Sequence, residues 1–130
     1  MLDTNILVSA IFFPSIQTKA LITKIICHHK LILCNYVLEE LRLVVERKFP
    51  SKSTALEEFF YTLHFELVHV SDNTGREDIP SVRDQKDTPI LEAAIQHNVD
   101  IFITGDKDFL VLDIGKPQIM NMTEFLLRYV

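Results

Sequence analysis

Three aspartates in this sequence stand where a strand is expected to end or a helix to begin: Asp3, Asp87 and Asp106. Asp3 follows the apolar pair Met1-Leu2. Asp106 follows the apolar run Ile101-Phe102-Ile103-Thr104, and Asp87 opens the stretch Pro89–Asn98. If the strands run parallel, all three fall on one edge of the sheet. Carboxylates gathered at one edge repel one another unless something neutralises them. A divalent cation that takes oxygen ligands, such as Mg²⁺ or Mn²⁺, does so. The chemistry it brings is hydrolytic: it binds a phosphate oxygen and acidifies a water. The same residues are also good helix caps: Asp3 for the segment from Asn5, Asp87 for its own helix, Asp106 for the turn after Gly105. At this level both readings stand.

Helix geometry adds a fourth carboxylate. At about 100° per residue across Val37–Lys48, the residues Val37, Leu38, Leu41, Val44 and Val45 form one apolar stripe. Glu39 lies almost opposite. Glu40 lies at the margin, about 100° from the centre, where it can point into a cleft or pair with Arg47 or Lys48. The same exercise puts Asp87 in line with Leu91 and Ala94, on the inward face. Thr4, Asn5 and Thr104 are suited to hydrogen bonds that fix the carboxylates, or to plain turn and cap chemistry. Arg42, Arg47, Lys48, Lys52, Arg83, Lys86 and Lys107 can meet phosphates or sit on solvated helix faces. Lys86 and Lys107 are the better candidates, because each neighbours a proposed metal ligand.

These residues are carried by short β-like runs alternating with helical stretches. Ser15 caps a helix to about His29, with Ala20, Leu21, Ile25 and Ile26 as its buried stripe. Leu31–Cys34 reads as a buried strand. Asn35 caps a helix to about Lys48, which Pro50 stops. Residues Ser53 to about Leu63 form an amphipathic helix, Glu66–Val70 a strand, and Ser71–Arg83 a polar loop. Pro89 starts a helix ending near Asn98. Ile101–Thr104 is a strand, Gly105-Asp106 turns into a short helix around Phe109, and Ile119-Met120 is a last strand. Thr123 caps a terminal helix. This alternation predicts a parallel sheet with helices on both faces. Ligands of such folds bind outside the carboxyl ends of the strands.

Length and composition bound the rest. The 130 residues and 15.0 kDa make one domain over 1–130. The charge is 13 − 18 = −5, which excludes a general basic coat for nucleic acid but not a local metal site. Mean hydropathy is +0.17, in keeping with a sheet buried on both faces or a surface patch covered by a partner. Cys27 and Cys34 read as two free, mostly buried thiols of a reducing compartment. No secretory signal and no membrane-spanning run is visible, so the expected location is cytoplasmic. The five histidines have no zinc-like spacing, and there is no P-loop or Gly-rich dinucleotide fingerprint.

The motifs together resemble the PIN domain family. Asp3-Thr4-Asn5 after a first strand resembles its opening motif. The segment Leu33–Leu41 is similar to its second acidic motif and carries over to Glu40. Arg83–Leu91 resembles the third, at Asp87. Thr104-Gly105-Asp106-Lys107-Asp108 resembles the fourth, at Asp106, with Asp108 as a helper, and Met122–Leu126 is similar to the closing segment. The nearest branch is that of the bacterial VapC-like toxins. The resemblance implies a three-layer α/β/α sandwich with a central, mainly parallel sheet. It implies a Mg²⁺- or Mn²⁺-dependent endoribonuclease in which Asp3, Glu40, Asp87 and Asp106 hold the metal. It also implies an RNA substrate, a homodimer and a protein antitoxin. Three departures stand out: a short first strand, Cys34 where the family often has Ser, and Thr88 where Asn is frequent. None removes a carboxylate.

Two rivals make different demands. Phosphatases with acids at strand ends use Asp-x-Asp in the first loop, where this chain has Asp3-Thr4-Asn5, and receiver domains need paired acids near the first strand. A catalytically weak PIN-like binding module could keep its acids and act mainly through protein or RNA partners, and the intact acidic set argues against it.

Overall fold

The computed structural model describes residues 1–69 and 88–129. The expected loop Ser71–Arg83 and the predicted Arg83, Lys86 and Asp87 lie outside the described residues. In chain order the elements are α1 (Thr4–Phe12), α2 (Ile16–His28), β1 (Ile32–Cys34), α3 (Asn35–Lys48), a 3₁₀ turn (Pro50–Lys52) and α4 (Ser53–Thr62). Then follow β2 (Glu66–Val68), α5 (Thr88–Gln96), β3 (Ile101–Ile103), α6 (Lys107–Leu110), β4 (Gln118–Met120) and α7 (Met122–Arg128).

The described strands are all parallel, in two pairs. β1 runs beside β2 with Ile32 opposite Glu66, and β3 beside β4 with Ile101 opposite Gln118. Met1 and Leu2 lie along β3: Leu2 bridges Ile103, and the Ile103 amide donates to the Met1 carbonyl at 2.9 Å. Leu2 makes a single bridge rather than a full strand, so the two pairs are not joined by a continuous ladder among the described residues. Leu2, Leu33 and Phe102 are fully buried in the strand layer, and Leu7, Leu41 and Leu91 come down on it from α1, α3 and α5. Helices pack α1 on α2 and α3, α2 on α7 and α3 on α5, giving the layered α/β architecture.

Local signals explain most boundaries. Ser15 caps α2 by a reciprocal capping box with Thr18. Asn98 takes a left-handed φ of 56°. Its amide and that of Val99 close back on Ile95 and Ala94, which ends α5 and turns the chain into β3. Two expected caps move by one or two residues: Cys34, not Asn35, caps α3, and Asn121, not Thr123, caps α7 with its side chain accepting from the Glu124 amide. The α2 stripe also differs. Ala20 and Ile26 are exposed, while Thr18, Leu21 and Ile25 are buried. Helix α7 packs against one side of α2 only, and that choice of side is not encoded in α2. For the same reason Cys27 is exposed, and only Cys34 is buried.

Cys34 has cap-compatible backbone angles (φ −89°, ψ 144°) but makes no side-chain cap bond, although the amides of Tyr36 and Val37 face its sulfur. Burial pushes its thiol pKa up, so it stays a neutral, weak acceptor. A hydroxyl is the better acceptor. Cys34→Ser is expected to stabilise the fold by about 0.5–1 kcal/mol, raising the melting temperature by roughly 2–4 °C. A thermal melt decides it. A lower melting temperature would mean that burying the hydroxyl outweighs the cap.

Candidate active site

The carboxyl ends of the strands carry the acids. Asp3 follows the Leu2 bridge, and its amide donates to the Ile103 carbonyl at 3.3 Å. It is the N-cap of α1, with Oδ1 accepting from the Ile6 amide at 3.0 Å. Its other oxygen, Oδ2, accepts from the Thr104 hydroxyl. Asp3 is therefore both a cap and a member of a buried network. It is 5% exposed.

Thr104 ends β3 and is fully buried. Its backbone amide is tied to the Met120 carbonyl of β4 at 3.0 Å. Its Oγ1 donates to Asp3 and accepts from the Asp106 amide at 3.0 Å. One hydroxyl thus joins two carboxylate residues more than a hundred positions apart in the chain. Asp106 caps α6 by accepting from the Asp108 amide at 2.9 Å. From α3, Glu40 accepts a hydrogen bond from the Thr4 hydroxyl at 2.9 Å. The marginal position read from helix periodicity is the one it occupies: solvent-exposed along the helix, with its carboxylate turned to the α1 terminus.

Asp3, Glu40 and Asp106 line one small cavity of about 30 Å³, together with Thr4, Asn5, Ile90 and Phe109. Ile90 and Phe109 are buried, and they give the hollow an apolar wall that the pattern of acids in the sequence does not reveal. Apolar walls strengthen every charge interaction inside. Burial, with the charges of Asp106 and Glu40, holds the Asp3 carboxyl above its ordinary 3.8, and the bonds from Thr104 and Ile6 only partly offset this. Among the described residues, no lysine or arginine pairs with Asp3, Glu40 or Asp106. Lys107 is exposed beside Asp106, and Asp108 is half-buried in the first turn of α6.

The residues fit a divalent cation on three counts. The donors are oxygens, no described lysine or arginine pairs with them, and the space exceeds the roughly 10–15 Å³ that one water needs. Metal–oxygen distances of about 2.1 Å for Mg²⁺ need less room still. Among the described residues, no three acidic, His or Cys side chains are drawn together closely enough to hold the ion unaided. Waters, or Asp87, would have to complete the shell. Two larger hollows, of about 180 and 620 Å³, lie at the opposite ends of the strands around Leu31 and His29, and each has one acid in its lining, Asp100 or Glu66, which pairs with Lys116 or Lys30.

The raised Asp3 value has a pH consequence. Because folding favours the protonated form, its stabilising effect is full below about pH 3.8 and is lost as the pH climbs through the raised folded value. Relative to wild type, Asp3→Asn is therefore expected to gain in melting temperature as pH rises from 3.5 to 7. A constant difference across that range would contradict the raised value.

The family model described as PIN domain matches residues 1–108. No curated protein matches the chain by sequence. A similar solved structure is a chain in the crystal structure of VapBC2 from Rickettsia felis bound to a DNA fragment from their promoter. It is 22% identical with a TM-score of 0.72, over 93% of this chain and 96% of that one.

Proposed function

The chain belongs to the PIN domain family, and on that premise we propose that it is a metal-dependent endoribonuclease, the toxin of a toxin–antitoxin pair. The observation that carries the reading is the junction of Asp3, Glu40 and Asp106 around one cavity at the carboxyl ends of the strands. Asp87 and Asp108 complete the proposed set. A bound Mg²⁺ or Mn²⁺ supplies charge stabilisation at the scissile phosphate and a more acidic water.

The chain's own groups do the positioning. Thr104 and the Ile6 amide occupy both oxygens of Asp3, so its carboxylate is fixed in rotation. Thr4 holds Oε2 of Glu40 at the cavity, where this carboxylate, like that of Asp106, could take a proton from the attacking water. Ile90 and Phe109 keep bulk water away from one side. Asn5 lines the same cavity and offers an amide to substrate or water. Lys107, with Arg83 and Lys86, supplies phosphate contacts beside an otherwise acidic edge.

The likeness to a chain of a VapBC2 complex supports a protein antitoxin as partner. Exposed Phe13, Ile16, Leu43 and Leu127 are apolar surface suited to a homodimer and to that partner. Among the described residues no single helix is long and apolar enough to cross a membrane, in keeping with action on RNA in the cytoplasm.

The test is purified protein with total RNA in Mg²⁺ or Mn²⁺, with EDTA and Asp3→Asn controls. Cleavage that needs both the cation and Asp3 is the expected result. A folded, partner-free protein that binds RNA without cutting it would instead be a PIN-like binding module.

A further inference from the structure

A net charge of −5, with acids at the site edge, poses a problem for a protein that must hold a polyanion. Phosphate contacts cannot supply affinity on the scale a basic protein reaches. Stacking on a base does not depend on charge, and every base has a π-face. The described residues offer one aromatic ring in the right place. Tyr36 lies in the first turn of α3, directly after β1, on the strand edge that carries the carboxylates. It stands four residues before Glu40, so the two side chains share a helix face at roughly 5–6 Å between Cβ atoms. Tyr36 is 40% exposed, and among the described residues its ring packs on no other ring and its hydroxyl has no hydrogen-bond partner. The other tyrosines differ. Tyr129 packs on Phe125 and His29, and Tyr61 stands at the far end of α4, beside the start of β2.

We propose that Tyr36 is a substrate-positioning residue that stacks on a base of single-stranded RNA next to the phosphate held at Asp3, Glu40 and Asp106. This rests on the ribonuclease reading. Stacking there fixes the nucleotide beside the acids without adding positive charge that would compete for them. It also selects unpaired RNA, because a base buried in a duplex cannot present its face to Tyr36.

The chain has no tryptophan, so Tyr36→Trp introduces a single tryptophan, which can be excited selectively over the remaining tyrosines. Binding of a labelled single-stranded RNA octamer is measured in the Asp106→Asn background with Mg²⁺, across a salt series. Tyr36→Ala is expected to weaken binding roughly 5- to 100-fold while leaving the slope of log Kd against log salt unchanged. Tyr36→Phe keeps wild-type affinity, and the Tyr36→Trp emission is quenched by the octamer but not by an abasic ribose-phosphate of equal length. Equal affinity of Tyr36→Ala and its parent, or a changed salt slope, overturns the stacking role and leaves the ribonuclease reading standing. If the wild type neither binds nor cleaves RNA, the ribonuclease reading falls and the stacking role falls with it.

Discussion

Asp106→Asn is expected to give a folded protein whose RNA cleavage in Mg²⁺ is at least about 100-fold slower than wild type. That is about 2.7 kcal/mol of barrier. The fold survives because Asn caps a helix as well as Asp does, so the bond from the Asp108 amide is kept in α6. The loss falls on chemistry, because an amide oxygen brings no charge to a cation. Removing that charge also relieves Asp3, whose carboxyl Asp106 helps to hold above its ordinary value. The melting temperature should therefore be unchanged or slightly raised at neutral pH. Paired measurement of melting and initial cleavage rate separates the two effects. Wild-type turnover by this variant would end the proposal that Asp106 serves a metal-dependent reaction.

Thr104→Val is the variant with the largest expected structural effect for so small a change. The side chains have nearly the same shape, so no cavity is made. What disappears is the hydroxyl that donates to Asp3 and accepts from the Asp106 amide. A buried carboxylate then loses a charge-assisted bond, and a backbone amide loses its partner. Together these cost about 2–4 kcal/mol at neutral pH, or roughly 8–15 °C in melting temperature. The Asp3 carboxyl should move still further up, so the penalty shrinks in acid, where Asp3 is protonated. Thr104→Ser, which restores the hydroxyl, should recover most of the loss. If Thr104→Val melts within a degree of wild type at pH 7, the hydroxyl is not what holds Asp3.

What was legible in the chain was local. Glu40 was placed at the stripe margin by the 100° rule, because a helix carries its own geometry. Asp3 and Asp106 are legible as caps or as site acids, and the structure shows both as caps: Oδ1 of Asp3 serves the helix while Oδ2 is held by Thr104. What was not legible was who meets whom. That Thr104 answers to Asp3 depends on β3 lying beside Met1 and Leu2, a pairing no window of sequence contains. The exposed Ala20, Ile26 and Cys27 have the same cause, since the face of α2 that is covered is set by α1 and α7. Cap positions slipped by one or two residues where cap-competent residues cluster, as at Cys34-Asn35 and Asn121–Thr123.

The bond between Thr104 and Asp3 has a further consequence, on the timescale of synthesis. Its two residues are 101 positions apart, and Leu2 pairs with Ile103 over the same span. Contacts this distant close a large loop and form late. A ribosome must add about a hundred residues after Asp3 before Thr104 and Asp106 can reach it, with β4 needed behind them to hold Thr104. A half-made chain therefore has acids but no site. On the ribonuclease reading this spacing carries its own delay: the surrounding RNA is safe until the segment around Thr104 has met the segment around Asp3.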